Sequence, residues 1–314
     1  MLQIIRRATS TLLMLVIFTM FVFLATEVLP GDAASHLLGS EATPENLAIE
    51  RHKLGLDRPA YVRYFDWALN YLEGDMGTSY TWSYPIAPIV GRRIVNSILL
   101  TGMALLFSIP LAILLGVIAG KNHGRRLDNL ISNVTLVAFS LPEFVTGIFL
   151  ITLFSVTIRL FPATSSLAPD FTWTEWMKAA ILPTLTLTFA TIGYIVRLTR
   201  SSIINEMAKE YITTARAKGL REPTIVYRHA LKNAIIPVIP AIGINAGWMF
   251  GGLVLTETVF AYPGIGSLFA TAIANRDIPL IQAASIIVYF GYALTSILCD
   301  AIVIALNPKL RGAR

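Results

Sequence analysis

Two carboxylates stand well inside long apolar runs: Glu143, directly after Pro142, and Asp300. A charge at the centre of a bilayer costs roughly 2.5–3.5 kcal/mol on insertion scales, so each must face protein or water rather than lipid. Glu143 reads in two ways. It can be a cavity group meeting the cationic end of a substrate, or a structural partner for a backbone donor or for a cation on a second subunit. Asp300 lies within two turns of the end of its run, where the structural reading is the simpler one. Other reactive chemistry finds no footing. His36, His52, His123 and His229 are scattered, and no pair has metal-ligand spacing. The one cysteine, Cys299, excludes an internal disulfide and reads as a small buried hydrophobe. No Gly-x-x-x-x-Gly-Lys-Ser/Thr phosphate loop and no His-Glu-x-x-His pair occurs. No catalytic, cofactor-binding or metal-ligating residue is therefore assigned, which sets aside an intramembrane enzyme.

The elements that would position these carboxylates are apolar helices. Of the 314 residues 55% are hydrophobic and 14% charged, against about 25% charged in an ordinary soluble domain. The mean hydropathy is +0.65. A spanning helix needs about 20 mostly apolar residues, and six stretches meet or approach this: 12–29, 98–119, 131–158, 179–196, 234–256 and 278–306. Pro110, Pro142, Pro183, Pro237 and Pro240 lie in or at the mouths of these runs, where membrane helices tolerate them. The net charge of +6 marks cytoplasmic loops rather than nucleic-acid binding. Arg6, Arg7, Lys121, Arg125, Arg126, the cationic block from Arg197 to Lys232, and Lys309, Arg311 and Arg314 fall on one side; Arg159, Lys178 and Arg276 fall on the other. The positive-inside rule then puts both termini in the cytoplasm. The run 12–29 exceeds the 7–15 residues of a signal-peptide core, so an uncleaved first helix is expected. Arg197 and Arg200 are expected to cap the fourth helix at its cytoplasmic end, and Trp173, Trp176 and Tyr262 to anchor at the membrane interface.

Two loops are long. The first, outside, is expected to fold in part. Thr43 caps a helix opened by Pro44 and closed by Gly55. Asp57 caps a second helix whose Tyr61, Phe65, Ala68, Leu69 and Leu72 share one face. That unit reads either as a cap over the helix ends or as a docking surface for an outer partner. The other loop, inside, predicts a helix over 203–217, a stop at Gly219, and a second helix reopened at Glu222-Pro223. Small residues Ala208, Ala215 and Ala217 would let another surface approach. Such an elbow can seat in a groove on a soluble partner, or lie on anionic lipid as an amphipathic segment.

The run Glu210-Tyr211-Ile212-Thr213-Thr214-Ala215-Arg216-Ala217-Lys218-Gly219-Leu220, followed by Arg228-His229-Ala230, Asn233-Ala234 and Pro237, resembles the cytoplasmic signature loop of ABC importer permeases of the dipeptide, oligopeptide and nickel group. Leu54-Gly55-Leu56-Asp57-Arg58-Pro59, Gly74-Asp75-Met76-Gly77-Thr78-Ser79, and Glu257 to Gly266 with Arg276-Asp277-Ile278-Pro279 are similar to the same group. The simpler importer pattern differs, with paired alanines where Tyr211 stands and a proline closer than Pro237.

The resemblance implies an all-α polytopic membrane protein with six transmembrane helices, the type I ABC importer permease fold, and an extracytoplasmic loop domain after the first helix. Its divisions are residues 1–30 (cytoplasmic tip and first helix), 31–93 (loop domain), 94–306 (permease core with coupling loop 201–233) and 307–314 (cytoplasmic tail). It implies ATPase coupling through Glu210, Tyr211, Ala215, Ala217, Gly219, Arg228, His229 and Asn233, with Glu143 as the candidate pathway residue. Expected partners are a second homologous permease, two ATP-binding subunits that carry ATP and Mg, an extracytoplasmic substrate-binding protein and the lipid of a bacterial inner membrane, with no nucleic acid. Peptides are the expected cargo; nickel, opines and glutathione are the alternatives. A secondary transporter or channel is the competing class, and would place coupling carboxylates near the midplane within inverted repeats.

Overall fold

The computed structural model describes residues 2–28, 34, 38–39, 42–53, 55–166 and 172–306. Its elements are α1 (Leu2–Val28), α2 (Pro44–Lys53), α3 (Ala60–Leu72), α4 (Ile86–Lys121), α5 (Arg126–Ser140), α6 (Glu143–Thr157), α7 (Trp173–Met207), α8 (Glu210–Ala217), α9 (Glu222–Ala234), α10 (Val238–Val259), α11 (Ile265–Ala274) and α12 (Ile278–Leu306). Among the described residues the extended pairing is one isolated bridge, Thr78 to Pro85. The chain divides into two compact units, Met1–Asn96 with Gly264–Phe290, and Ser97–Pro263 with Gly291–Arg314. The expected tail at 307–314 and the side chain of Asp300 lie outside the described residues.

In the first unit the expected helix starts and stops are met in part. Asn46 N–H donates to Thr43 Oγ1 at 3.3 Å, the expected cap of α2. Gly55, at φ +65°, and Leu56 send their N–H groups back to His52 and Arg51, the paired bonds of a Schellman stop. Asp57 does not cap α3. Pro59 holds that position with no side-chain capping bond, because Pro lacks the N–H that would continue the turn backwards and pre-sets the φ of a helix start. The residues expected to share one face of α3 do share a side, with Ala68 half-buried. Tyr61, Phe65, Leu69 and Leu72 are exposed, and Tyr64, Trp67 and Tyr71 turn inward. The core of this unit is Ile86 and Val90 against Ile265, Leu268, Leu280 and Ile281. Asp277 ties two distant segments together. Its buried carboxylate accepts from the Ser79 hydroxyl, from Tyr80 N–H at 3.1 Å and from Thr81 N–H at 3.0 Å.

The second unit is built around α7, whose inward face runs from Trp176 to Glu206. A capping box starts it: Thr172 Oγ1 accepts from Glu175 N–H, and the Glu175 carboxylate accepts from Thr172 N–H at 2.8 Å. Neighbours come unusually close to it. A Cβ on Gly116 would lie 2.5 Å from Thr199 Cβ, one on Gly120 2.8 Å from Ile203 Cβ, and one on Gly193 2.5 Å from the Thr135 carbonyl oxygen. Gly116 and Gly120 are one turn apart on α4, the small-xxx-small spacing that lets membrane helices touch backbone to backbone.

At the other side of α7, Arg200 forks onto Asp128 of α5, Nε to Oδ1 at 2.5 Å and Nη2 to Oδ2 at 2.7 Å. Asp128 is fully buried and also accepts from Gly124 N–H at 2.9 Å. The expectation that Arg200 caps the fourth helix is thereby corrected, since α7 runs on to Met207 and Arg200 sits inside it, spent on an ion pair. Trp176 and Tyr262, expected at the interface, are buried in the core, whereas Trp173 is exposed and stacks on Trp176.

Prolines divide into two kinds. Pro110 and Pro183 lie inside continuous helices. Pro142 stands at a bend of 101° between α5 and α6, and Pro237 at one of 62° between α9 and α10. Leu141, just before Pro142, is extended, as the proline ring demands of its predecessor. Among the described residues three helices are long and apolar enough to cross a membrane, or up to five with each bent pair taken as one span; the apolar part of α1, Leu12–Glu27, is shorter.

Two outcomes test this packing. Gly116→Val should cost about 1–3 kcal/mol through overpacking, read as a lower thermal midpoint of the purified protein. Gly102→Ala on the same helix, where a Cβ meets nothing within 4 Å, should not move it. Arg200→Ala should cost about 3 kcal/mol by stranding the Asp128 carboxylate. Adding Asp128→Asn should restore more than half of that loss.

Candidate coupling elbow and buried carboxylates

The elbow begins where α7 stops. Glu206, buried on the last turn of α7, gathers the side chains that follow it. Tyr211 O–H donates to Glu206 Oε2 at 2.6 Å, Lys209 Nζ donates to Oε1, and Asn233 Nδ2 donates to the Tyr211 oxygen at 3.2 Å. One carboxylate thus connects α7, the start of α8 and the end of α9. Burial first, and then the bond to Glu206, pushes the Tyr211 phenol up from its ordinary range. The predicted helix over 203–217 is accordingly interrupted at Ala208 and Lys209, where the chain turns to bring Lys209 and Tyr211 onto Glu206.

After α8 the chain reverses at Gly219, at φ +75°. Gly219 N–H reaches Arg216 O at 2.9 Å and Leu220 N–H reaches Ala215 O at 3.3 Å, the Schellman pair that the left-handed residue makes possible. Arg216 Nε donates to Glu222 Oε1 at 2.7 Å across this turn, an exposed contact of small energetic weight. Two apolar clusters hold the elbow. Ile212, Ala215, Ile225 and Ala230 close it on itself. Val226 and Ala234 pack on Ile203 of α7 and Val117 of α4. Met207 touches both clusters, so the elbow is packed against the ends of α4 and α7.

The residues expected to couple are now placed. Glu210 is exposed in the first turn of α8, where a negative charge suits the helix dipole. Tyr211 and Asn233 meet each other. Ala217 and Gly219 lie on the exposed surface, as does Arg228, and His229 is half-buried. Arg228 and His229 belong to a π-helical stretch, Ile225–Ala230, that widens the middle of α9. Ala215 faces inward, so it is a core residue of the elbow rather than a site of close approach. Sequence reasoning missed the part played by Glu206 and Lys209, and the pair Asp128 and Arg200. Glu206 carried one signal, a carboxylate three residues before a lysine and five before a tyrosine at the mouth of the loop.

Glu143 opens α6 and is buried. Its Oε1 accepts from the Thr256 hydroxyl of α10, and Gly252 leaves room for it, since a Cβ there would lie 2.9 Å from Oε2. In this conformation Glu143 holds α6 to α10.

Residues 112–312 match the family described as binding-protein-dependent transport system inner membrane component. Residues 1–115 match the N-terminal component of the same membrane proteins. A probable peptide ABC transporter permease protein of Sinorhizobium fredii is 34% identical over 98% of both chains. A putative peptide transport system permease protein of Brucella abortus is 32% identical, again over 98% of each. A glutathione transport system permease protein of Salmonella typhimurium is also 32% identical over 98% of each. An exposed helical elbow fixed to the ends of apolar helices, and relatives matched along nearly their whole length, lead to one conclusion: the chain belongs to the binding-protein-dependent transport system inner membrane components and is a membrane permease subunit of an ABC importer.

Proposed function

We propose that this permease carries peptides or peptide-like small solutes, forming half of a pathway completed by a second homologous permease. The names of the relatives quoted above support that cargo. Glutathione, itself a small peptide, falls inside the class, whereas nickel and opines draw no support from those names. The chain crosses the inner membrane six times, by α1, α4, the pair α5–α6, α7, α10 and α12. Both termini lie in the cytoplasm, and residues 31–93 form an outer loop domain facing an extracytoplasmic substrate-binding protein. ATP and Mg are bound and hydrolysed by two separate subunits, and this chain is non-catalytic. The elbow, residues 201–233, seats in a groove on one ATPase, and closure of the ATPase pair turns the pathway outward. The single observation that carries this reading is the anchorage of the elbow: its exposed outer face is backed by Val226, Ala234 and Met207 packed on α4 and α7. A push on that face therefore reaches spanning helices through close contacts rather than through a flexible tether.

The coupling test uses Gly219. A side chain there meets nothing of this chain within 4 Å, yet a Cβ in the left-handed region costs roughly 1–2 kcal/mol. Gly219→Val should leave normal amounts of protein in the membrane but lower uptake at least about fivefold, the low end of ordinary coupling energies, with loss of co-purified ATPase. Full assembly with full uptake would refute the assignment. Ala215→Leu should instead act through the elbow's own core, at a cost of about 1–3 kcal/mol.

The topology is tested separately. A reporter fused after Lys121 should be cytoplasmic, and an extracytoplasmic reporter would reverse the proposed orientation.

A further inference from the structure

We infer that α3, in the first long loop, is embedded in the outer leaflet of the bilayer beside α1, with Tyr61, Phe65, Leu69 and Leu72 facing lipid chains. Three successive turns of α1 carry the observation. Arg63 of α3 is bonded to Glu27. One turn lower, the Phe23 ring meets Tyr64 at 5.5 Å and Trp67 at 5.8 Å. One further turn down, Tyr64 Oη lies 3.1 Å from Thr19 Oγ1. Glu27 to Thr19 is about 12 Å along a helix axis, and half the hydrocarbon thickness is about 15 Å. With α1 crossing the membrane as proposed above, α3 reaches well below the headgroups.

Its side chains are sorted for that place. The face away from α1 exposes Tyr61 by 68%, Phe65 by 61%, Leu69 by 58% and Leu72 by 85%. These recur at i, i+4, i+8 and i+11, one apolar stripe of a helix. The neighbouring helix α1 likewise leaves Met20, Phe21 and Leu24 exposed. The polar residues take another side: Arg58 pairs with Asp66 at 2.6 Å, and Arg63 turns to Glu27. This is the amphipathic pattern of a helix lying in the interface. A water-facing loop would gain nothing from four large exposed apolar side chains in one row. The outer loop is thereby held to the membrane at α3 and not only at its two ends.

The test is nitroxide accessibility in the complete importer reconstituted in liposomes. The sole cysteine is removed as Cys299→Ala, and labels are placed singly at Phe65→Cys and Leu69→Cys. Phe21→Cys on α1 serves as the lipid reference and Glu73→Cys, exposed just after α3, as the water reference. At both α3 positions collisions with oxygen should exceed those with a water-soluble nickel chelate several-fold over the ratio at position 73, approaching the ratio at 21. Two separate labels keep the test alive if one variant fails to assemble. Relaxation by the chelate as at 73 would overturn the proposal, whether or not adding the binding protein later protects the label. Exclusion of both oxygen and chelate would show a protein covering the stripe and overturn it equally. If position 21 itself were open to the chelate, the crossing of α1 would fall, and this inference with it. Depth is read without regard to side, so a reversed topology would leave a positive result standing for the opposite leaflet.

Discussion

Helices in lipid gain nothing from hiding apolar surface from one another, because the chains around them are as apolar as leucine. What holds them is close contact and the few polar bonds they share. The second unit of this protein depends on that constraint at α7. Gly116 and Gly120 bring α4 against Thr199 and Ile203, and Gly193 brings α7 against the carbonyl of Thr135. Where backbones approach this nearly, many weak dispersion contacts accumulate over a short length. The Arg200–Asp128 pair adds direction to the contact with α5. An ion pair of this kind contributes little net stability, but it leaves an alternative register with a stranded charge.

The elbow inherits its rigidity from the same place. Its apolar backing includes Ile203 and Val117, which lie on the two helices that the glycines bring together. Glu206 then fixes the geometry of the turn by holding Lys209 and Tyr211. The polar bonds specify shape and the apolar cluster supplies attachment. The outer face, with Ala217, Gly219 and Arg228, is exposed.

Much of this could be read from residue types. Apolar runs of spanning length marked the helices, Thr43, Pro44 and Gly55 marked the ends of α2, and Gly219 marked the turn of the elbow. These are local signals, carried by the residues that form the feature. What could not be read is what neighbours decide. Pro110, Pro142, Pro183 and Pro237 look alike in sequence, yet two sit in continuous helices and two mark bends. At Pro183 the freed Ala179 carbonyl accepts from the Ser165 hydroxyl at 2.6 Å, a partner brought from outside the helix. Arg200 finds Asp128 from 72 residues away, so no spacing rule connects them. Ala215 and Ala217 are both small residues of one helix, and only the three-dimensional path of α9 turns one inward and leaves the other exposed. The apolar stripe of α3 was visible as a stripe, but periodicity does not say whether such a face meets protein or lipid.

The length of α7 has a mechanical consequence. Its 35 residues make a rod of about 52 Å, well beyond the roughly 30 Å of hydrocarbon. Its close crossing with α4, at Thr199 and Ile203, lies near one end. If the helix pivots midway between them, the arm toward Glu206 is about 7.5 Å and the arm toward Trp173 about 42 Å, a ratio of roughly five to six. A displacement of about 1 Å at the elbow would then swing the far end by about 5–6 Å. An off-centre fulcrum trades force for travel, so a small stroke at one end of such a rod would become a wide swing at the other.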